Sequence, residues 1–124
     1  MARVMEVALD VMDRPWKWGE ADCCTSACDV FLRLYGIDPM APLRGTYRTQ
    51  REAARIIARM GGFERMAATL AERAGLREVE PVAGAVGVSP DGLVICANPR
   101  IWLGKTLTGL TSTGEVSVAY HVEV

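Results

Sequence analysis

Apolar side chains recur at helical spacing through the first half of the chain and at strand spacing through the last third. Val4, Met5, Ala8, Leu9 and Met12 share one face of a helix predicted over residues 2–13, with Arg3, Glu6, Asp10 and Asp13 mostly opposite, and Pro15 ends it. A second helix is predicted from Asp22 to Tyr35. Asp22 is its N-cap, Ala27, Val30, Phe31 and Leu34 form its buried stripe, and Gly36 stops it. Residues 37–47, interrupted by Pro39 and Pro42, read as a loop anchored by Ile37, Leu43 and Tyr47. Thr49 caps a third helix over 49–60 with Ala53, Ile56, Ile57 and Met60 inward. After Gly61-Gly62 a fourth helix over 63–74 buries Phe63, Met66, Ala67, Leu70 and Ala74.

Beyond Gly75 the period changes to that of strands. Residues 85–88 and Leu93–Ala97 flank Ser89-Pro90-Asp91-Gly92, a strong turn, and predict a hairpin. Ile101–Leu103 and Lys105–Leu110 are short strand candidates, and Ser112-Thr113-Gly114 reads as a turn. Val116–Val124 alternates, with Val116, Val118, Tyr120, Val122 and Val124 on one face. Ser117, Ala119, His121 and Glu123 lie on the other, which predicts a half-buried terminal strand. Helices followed by an antiparallel sheet predict an α+β fold in one domain spanning residues 1–124.

Composition narrows the function classes. The chain has 124 residues, 23% of them charged, with a formal net charge of -1, so no bulk positive field invites nucleic acid or a membrane surface. Arg44, Arg48, Arg51, Arg55 and Arg59 form a local basic run, read as a solvated helix face. No apolar run approaches the ~20 residues of a membrane span. The N-terminus also lacks the uninterrupted apolar core of a signal peptide, so synthesis in the cytoplasm without a signal is expected.

The chemistry concentrates in Pro15–Cys28, which holds three of the four cysteines and two of the three tryptophans. Cys23 falls on the first turn of a helix. Unpaired backbone N–H groups and the helix dipole there favour a thiolate. Cys23 is thus a working nucleophile, the remnant of one, or a small buried residue. Cys24, Cys28 and Cys96 read as small apolar core residues, and Arg44 with Tyr47 as a packing pair in the loop over Cys23. Adjacent and same-helix cysteines do not suit disulfide geometry. The spacing C-C-x3-C is no zinc pattern, so neither disulfide, metal nor cofactor is expected.

Pro15-Trp16-Lys17-Trp18-Gly19 followed by Asp22-Cys23 resembles the P-Y-x-W-G-G…D-C-S-G segment of the NlpC-type, papain-like cell-wall cysteine peptidases. The run through Leu43-Arg44-Gly45-Thr46-Tyr47, with Gly61-Gly62, Gly84-Ala85-Val86-Gly87-Val88 and Gly109-Leu110, is similar to a small phage-encoded, tail-associated branch. The resemblance implies a papain-like fold with Cys23 at the nucleophile and Asp22 at the acidic residue before it. Trp16 falls where the family has an oxyanion-binding tyrosine. The family's histidine opens the second sheet strand, near Gly92-Leu93-Val94-Ile95, and no histidine stands there. His121, the chain's one histidine, is either a migrated base or a polar residue on the outer side of the terminal strand.

Two functions follow from the resemblance. The first is a structural virion component: a tail-tip or tail-assembly protein with a degenerate NlpC-type fold, located in the virion tail and partnered by a hub or distal tail protein. The alternative is an active peptidoglycan endopeptidase in which Cys23 and His121 open the cell wall during genome delivery.

Overall fold

The computed structural model describes residues 2–122. Four α-helices precede six strands: α1 Ala2–Met12, α2 Cys23–Tyr35, α3 Gln50–Arg59, α4 Phe63–Arg73, then β1 Arg77–Val79, β2 Val86–Ser89, β3 Gly92–Asn98, β4 Ile101–Thr106, β5 Gly109–Thr113 and β6 Val118–His121. The α+β expectation is met, with every strand pair antiparallel in the order β1-β6-β2-β3-β4-β5. The hairpin of β2 and β3 turns at Pro90-Asp91, with Val86 opposite Ile95 and Ser89 opposite Gly92.

The main core lies between the helices and one sheet face. It joins Val7, Ala8 and Val11 of α1 and Ala27, Val30 and Phe31 of α2 to Val86, Val88, Leu93, Ile95 and Leu103. The alternate strand positions are buried too. Ala85, Val94, Cys96, Trp102 and Ala119 form a second cluster, in which Trp102 is only 1% exposed. Gly87 makes room for that indole: a Cβ on Gly87 would come within 2.6 Å of the Trp102 ring. The sheet is therefore covered on both faces along β2 and β3.

Two strand expectations change. The terminal strand, expected over Val116–Val124, is Val118–His121 among the described residues, and Glu123 and Val124 lie outside them. Its Ala119 and His121, expected outward, are both buried. Ala119 belongs to the second cluster, and His121 packs edge-on against Phe31 and Tyr35 of α2, with ring centroids 5.5 and 4.7 Å away. Lys105–Leu110 is not one strand either. β4 runs through Gly104 to Thr106, the chain turns, and β5 extends from Gly109 to Thr113, absorbing the predicted turn residues Ser112 and Thr113.

Candidate functional site

Asp22 builds the start of α2. Its carboxylate accepts hydrogen bonds from the backbone N–H of Thr25 (2.8 Å) and of Gly19 (2.8 Å), from the Thr25 hydroxyl (3.0 Å) and from the Tyr47 hydroxyl (2.6 Å). The Thr25 hydroxyl in turn accepts from the Asp22 N–H, completing a capping box. Asp22 is 2% exposed and its oxygens are fully occupied, so this carboxylate holds structure. Gly19 lets the loop close: its φ is +83°, and a Cβ there would collide with the Tyr47 carbonyl oxygen at 2.2 Å.

Cys23 is the first residue of α2. Its thiol is held below the ordinary thiol range. The largest cause is the hydrogen bond with the Cys24 thiol (Sγ–Sγ 3.9 Å), helped by the backbone N–H groups of Leu93 and Cys24 and opposed by burial and the Asp22 charge. The Cys24 thiol is correspondingly pushed well up, by its bond to Cys23 and by burial. Burial also raises the Cys28 thiol, and takes Cys96 up to about 11. Cys23 is thus the one half-exposed, thiolate-prone cysteine of the four.

The sulfur opens onto a cavity of about 320 Å³. Trp18, Met40, Leu43, Ile57, Phe63 and Met66 supply its apolar walls, and Cys23, Asp22, Tyr47 and the Pro90-Asp91-Gly92 turn supply the end at the sulfur. That volume sits at the lower end of small-molecule sites, about 300–1,000 Å³. A family profile matches residues 1–122 of the chain, nearly all of it. The chain belongs to the family described as a domain of unknown function, DUF6950. No curated protein and no solved structure matches it.

In this DUF6950 domain, Cys23, Cys24 and Asp22 share the groove. Trp16, expected at an oxyanion site, does not line it; Trp18 does. The two indoles meet edge-on with centroids 5.0 Å apart, and the buried Trp16 Nε1 has no partner among the described residues.

The structure does not bring Cys23 and His121 together. His121 rests on Phe31 and Tyr35, which lie roughly 12 and 18 Å along the α2 axis from Cys23 at 1.5 Å per residue. Its Nδ1 accepts the Val122 N–H at 2.7 Å, and burial lowers its pKa. What faces the sulfur instead is Gly92: a Cβ built there would lie 2.5 Å from Cys23 Sγ.

Arg44 and Tyr47 are separate anchors of the loop, not a packing pair. Arg44 binds Asp38 through two hydrogen bonds of 3.0 Å and Asp29 at 2.7 Å, while Tyr47 reaches Asp22. One buried polar residue carried no sequence signal. Lys105 of β4, 4% exposed, donates through Nζ to the carbonyls of Met12 (3.1 Å) and Arg14 and closes the C-terminus of α1. Among the described residues no three His, Cys, Asp or Glu side chains stand together as a metal site, and no helix is long and apolar enough to cross a membrane.

Proposed function

We propose that this chain is a non-hydrolytic structural component of a phage tail tip, built on an NlpC-type, papain-like fold that has lost its catalytic base. The observation that carries this reading is the contact of Gly92 with the Cys23 sulfur. Gly92 opens β3, the second strand of the β2–β3 hairpin, in the region where the resembled peptidases carry their histidine. The position has the backbone approach of an active-site partner and no side chain. Amide hydrolysis needs a group that takes the nucleophile's proton and returns it to the leaving amine. The only imidazole of the chain is packed at the far end of α2.

The thiolate-prone Cys23 favours the second reading, an active peptidoglycan endopeptidase, and one assay decides between them. Purified protein is incubated with peptidoglycan and with free stem peptides. No released amine is expected, and Cys23→Ala is expected to behave like the parent. Release that Cys23→Ala abolishes overturns the structural reading. For the tail assignment, a phage lacking the gene is expected to make particles without complete tails, and a Cys23→Ala copy is expected to restore them. Normal tails without the gene overturn it. The implied partner is a hub or distal tail protein.

A further inference from the structure

Two features of the Cys23 groove, and a third on the outer surface of a helix that lines it, are left without a task by the structural reading. The first is a half-exposed thiol at a helix N-terminus, hydrogen-bonded by a neighbouring thiol. The second is the apolar cavity at its sulfur, walled by Trp18, Met40, Leu43, Ile57, Phe63 and Met66. The third lies along α3, whose groove side carries Ala53, Ala54 and Ile57. Its remaining surface presents Arg51, Arg55 and Arg59 at one-turn intervals, with Arg48 just before the helix. All four are exposed, and none has a carboxylate partner among the described residues.

The missing base sorts the reactions open to this thiol. Expelling an amine takes a group that removes the nucleophile's proton and returns it to the leaving nitrogen. The imidazole that does this in the resembled peptidases is absent beside Cys23, where His121 does not reach. Expelling a thiolate does not, because a thiolate leaves unprotonated and is itself of comparable basicity. A thiol without a histidine is therefore suited to exchange with a thioester and unsuited to cutting a peptide bond. The groove adds the preference for the acyl part, because burying each methylene is favourable by transfer from water. The unpaired arginines add the preference for the carrier, since guanidinium groups pair with phosphate.

We propose that Cys23 is an acylation site, taking a fatty acyl group from an anionic acyl thioester such as an acyl-coenzyme A and holding the hydrocarbon in the apolar groove. The Cys23 sulfur forms a bond to the acyl carbonyl carbon, and the bond between that carbon and the carrier sulfur breaks. The carrier leaves as a thiolate and takes up the proton that Cys23 lost on ionising. No electrons change hands, and the product is a thioester on Cys23. The N–H of the first helical residue has no partner within the helix and is free of that role to donate to the carbonyl oxygen during attack. The proposal rests on the absence of a hydrolytic dyad, since a working base would pass the acyl group to water.

The test is incubation of the full chain with decanoyl-coenzyme A, read by intact mass and peptide mapping. One decanoyl group on Cys23, removed by neutral hydroxylamine and absent from Cys23→Ser, is the expected result. Ala54→Trp fills the groove from an exposed helix position. It is expected to slow acylation about tenfold, the factor that goes with losing about two methylenes of burial. No adduct overturns the proposal. So does labelling spread over Cys28 and Cys96, or an Ala54→Trp rate equal to the parent's. Absence of both adduct and hydrolysis sinks the thioester alone. Continuous release of decanoate that depends on Cys23 sinks the thioester store and the base-free reading together.

Discussion

Tyr47 reaches back across the loop to donate its hydroxyl hydrogen to Asp22 at 2.6 Å, with the acceptor already taking backbone N–H groups from Gly19 and Thr25. One carboxylate thereby ties three segments: the tryptophan loop, the start of α2 and the segment entering α3. Tyr47→Phe removes one donor and leaves the carboxylate its others. The expected loss is about 1.5 kcal/mol, the lower part of the range for a hydrogen bond to a charged group. Asp22→Ala strands the Tyr47 hydroxyl and two backbone donors, so a loss of about 3 kcal/mol or more is expected. Urea unfolding of both variants gives the comparison.

Lys105 makes a similar tie at the C-terminus of α1, donating to Met12 and Arg14 carbonyls that no further helical turn can satisfy. Lys105→Met keeps the aliphatic stem and removes the donors. A destabilisation of about 1–3 kcal/mol is expected. Hydrogen exchange is expected to speed up first at the last turn of α1. Uniform acceleration across the sheet would contradict a local clamp.

How far the sequence reveals this structure varies by element. Helical period and caps place all four helices to within a residue or two, because Asp22, Thr49, Gly36 and Gly61 act locally through hydrogen bonds and backbone preference. The β2–β3 hairpin is legible for the same reason. β4 is less legible: the candidates Ile101–Leu103 and Lys105–Leu110 leave Gly104 between them, yet it sits in mid-strand, where a Cβ would crowd Val94 Cγ1 at 2.9 Å. The burial of Ala119 and His121 was also hidden. It depends on Trp102 and on the α2 aromatics, which are remote in sequence. At the site, Cys23 and Asp22 could be read from local spacing. The approach of Gly92 and the Leu93 N–H to Cys23 required the sheet to be assembled.

The Cys24 thiol is the largest influence lowering Cys23, so reactivity should report it. Alkylation of the parent by iodoacetamide is expected at Cys23 first, with a pH midpoint below that of an ordinary thiol near ~8.5. Cys24→Ala removes the donor and is expected to move the midpoint up toward that value. An unchanged midpoint would assign the effect to the backbone N–H groups and the helix terminus instead.

His121 makes stability depend on pH in a defined direction. Burial lowers its folded-state pKa below the unfolded value near ~6.5. Between the two values the unfolded chain binds more protons, so stability rises with pH. The contribution is complete above the unfolded value and is lost as pH falls through the folded one. Because one proton is involved, the slope is at most about 1.4 kcal/mol per pH unit. Denaturant midpoints taken between about pH 5.5 and 7.5 should fall on acidification. His121→Gln should flatten that dependence, whatever its own stability.

Gly92 has a φ of +149° and meets Cys23 so closely that an added Cβ would stand 2.5 Å from Sγ and 2.9 Å from the Cys23 Cβ. Gly92→Ala therefore carries backbone strain of about 1–3 kcal/mol and a collision besides, and a total loss of about 2–4 kcal/mol is expected. Cys23→Ala takes away the nearer of the two clashing atoms. Combined with Gly92→Ala it should recover about 1 kcal/mol, a coupling that a double-mutant cycle measures directly. Full additivity would mean that the two residues do not touch. The same geometry bears on introducing a base beside the sulfur. Gly92→His inherits the Cβ collision at the very sulfur it would serve. The histidine is accommodated only by moving β3 off the start of α2, and that takes the Leu93 N–H from the thiolate. Gly92→His is accordingly expected to lose stability and raise the Cys23 pKa without gaining peptide hydrolysis. A stable, hydrolytic Gly92→His protein would show that the backbone at position 92 tolerates a base beside the Cys23 sulfur.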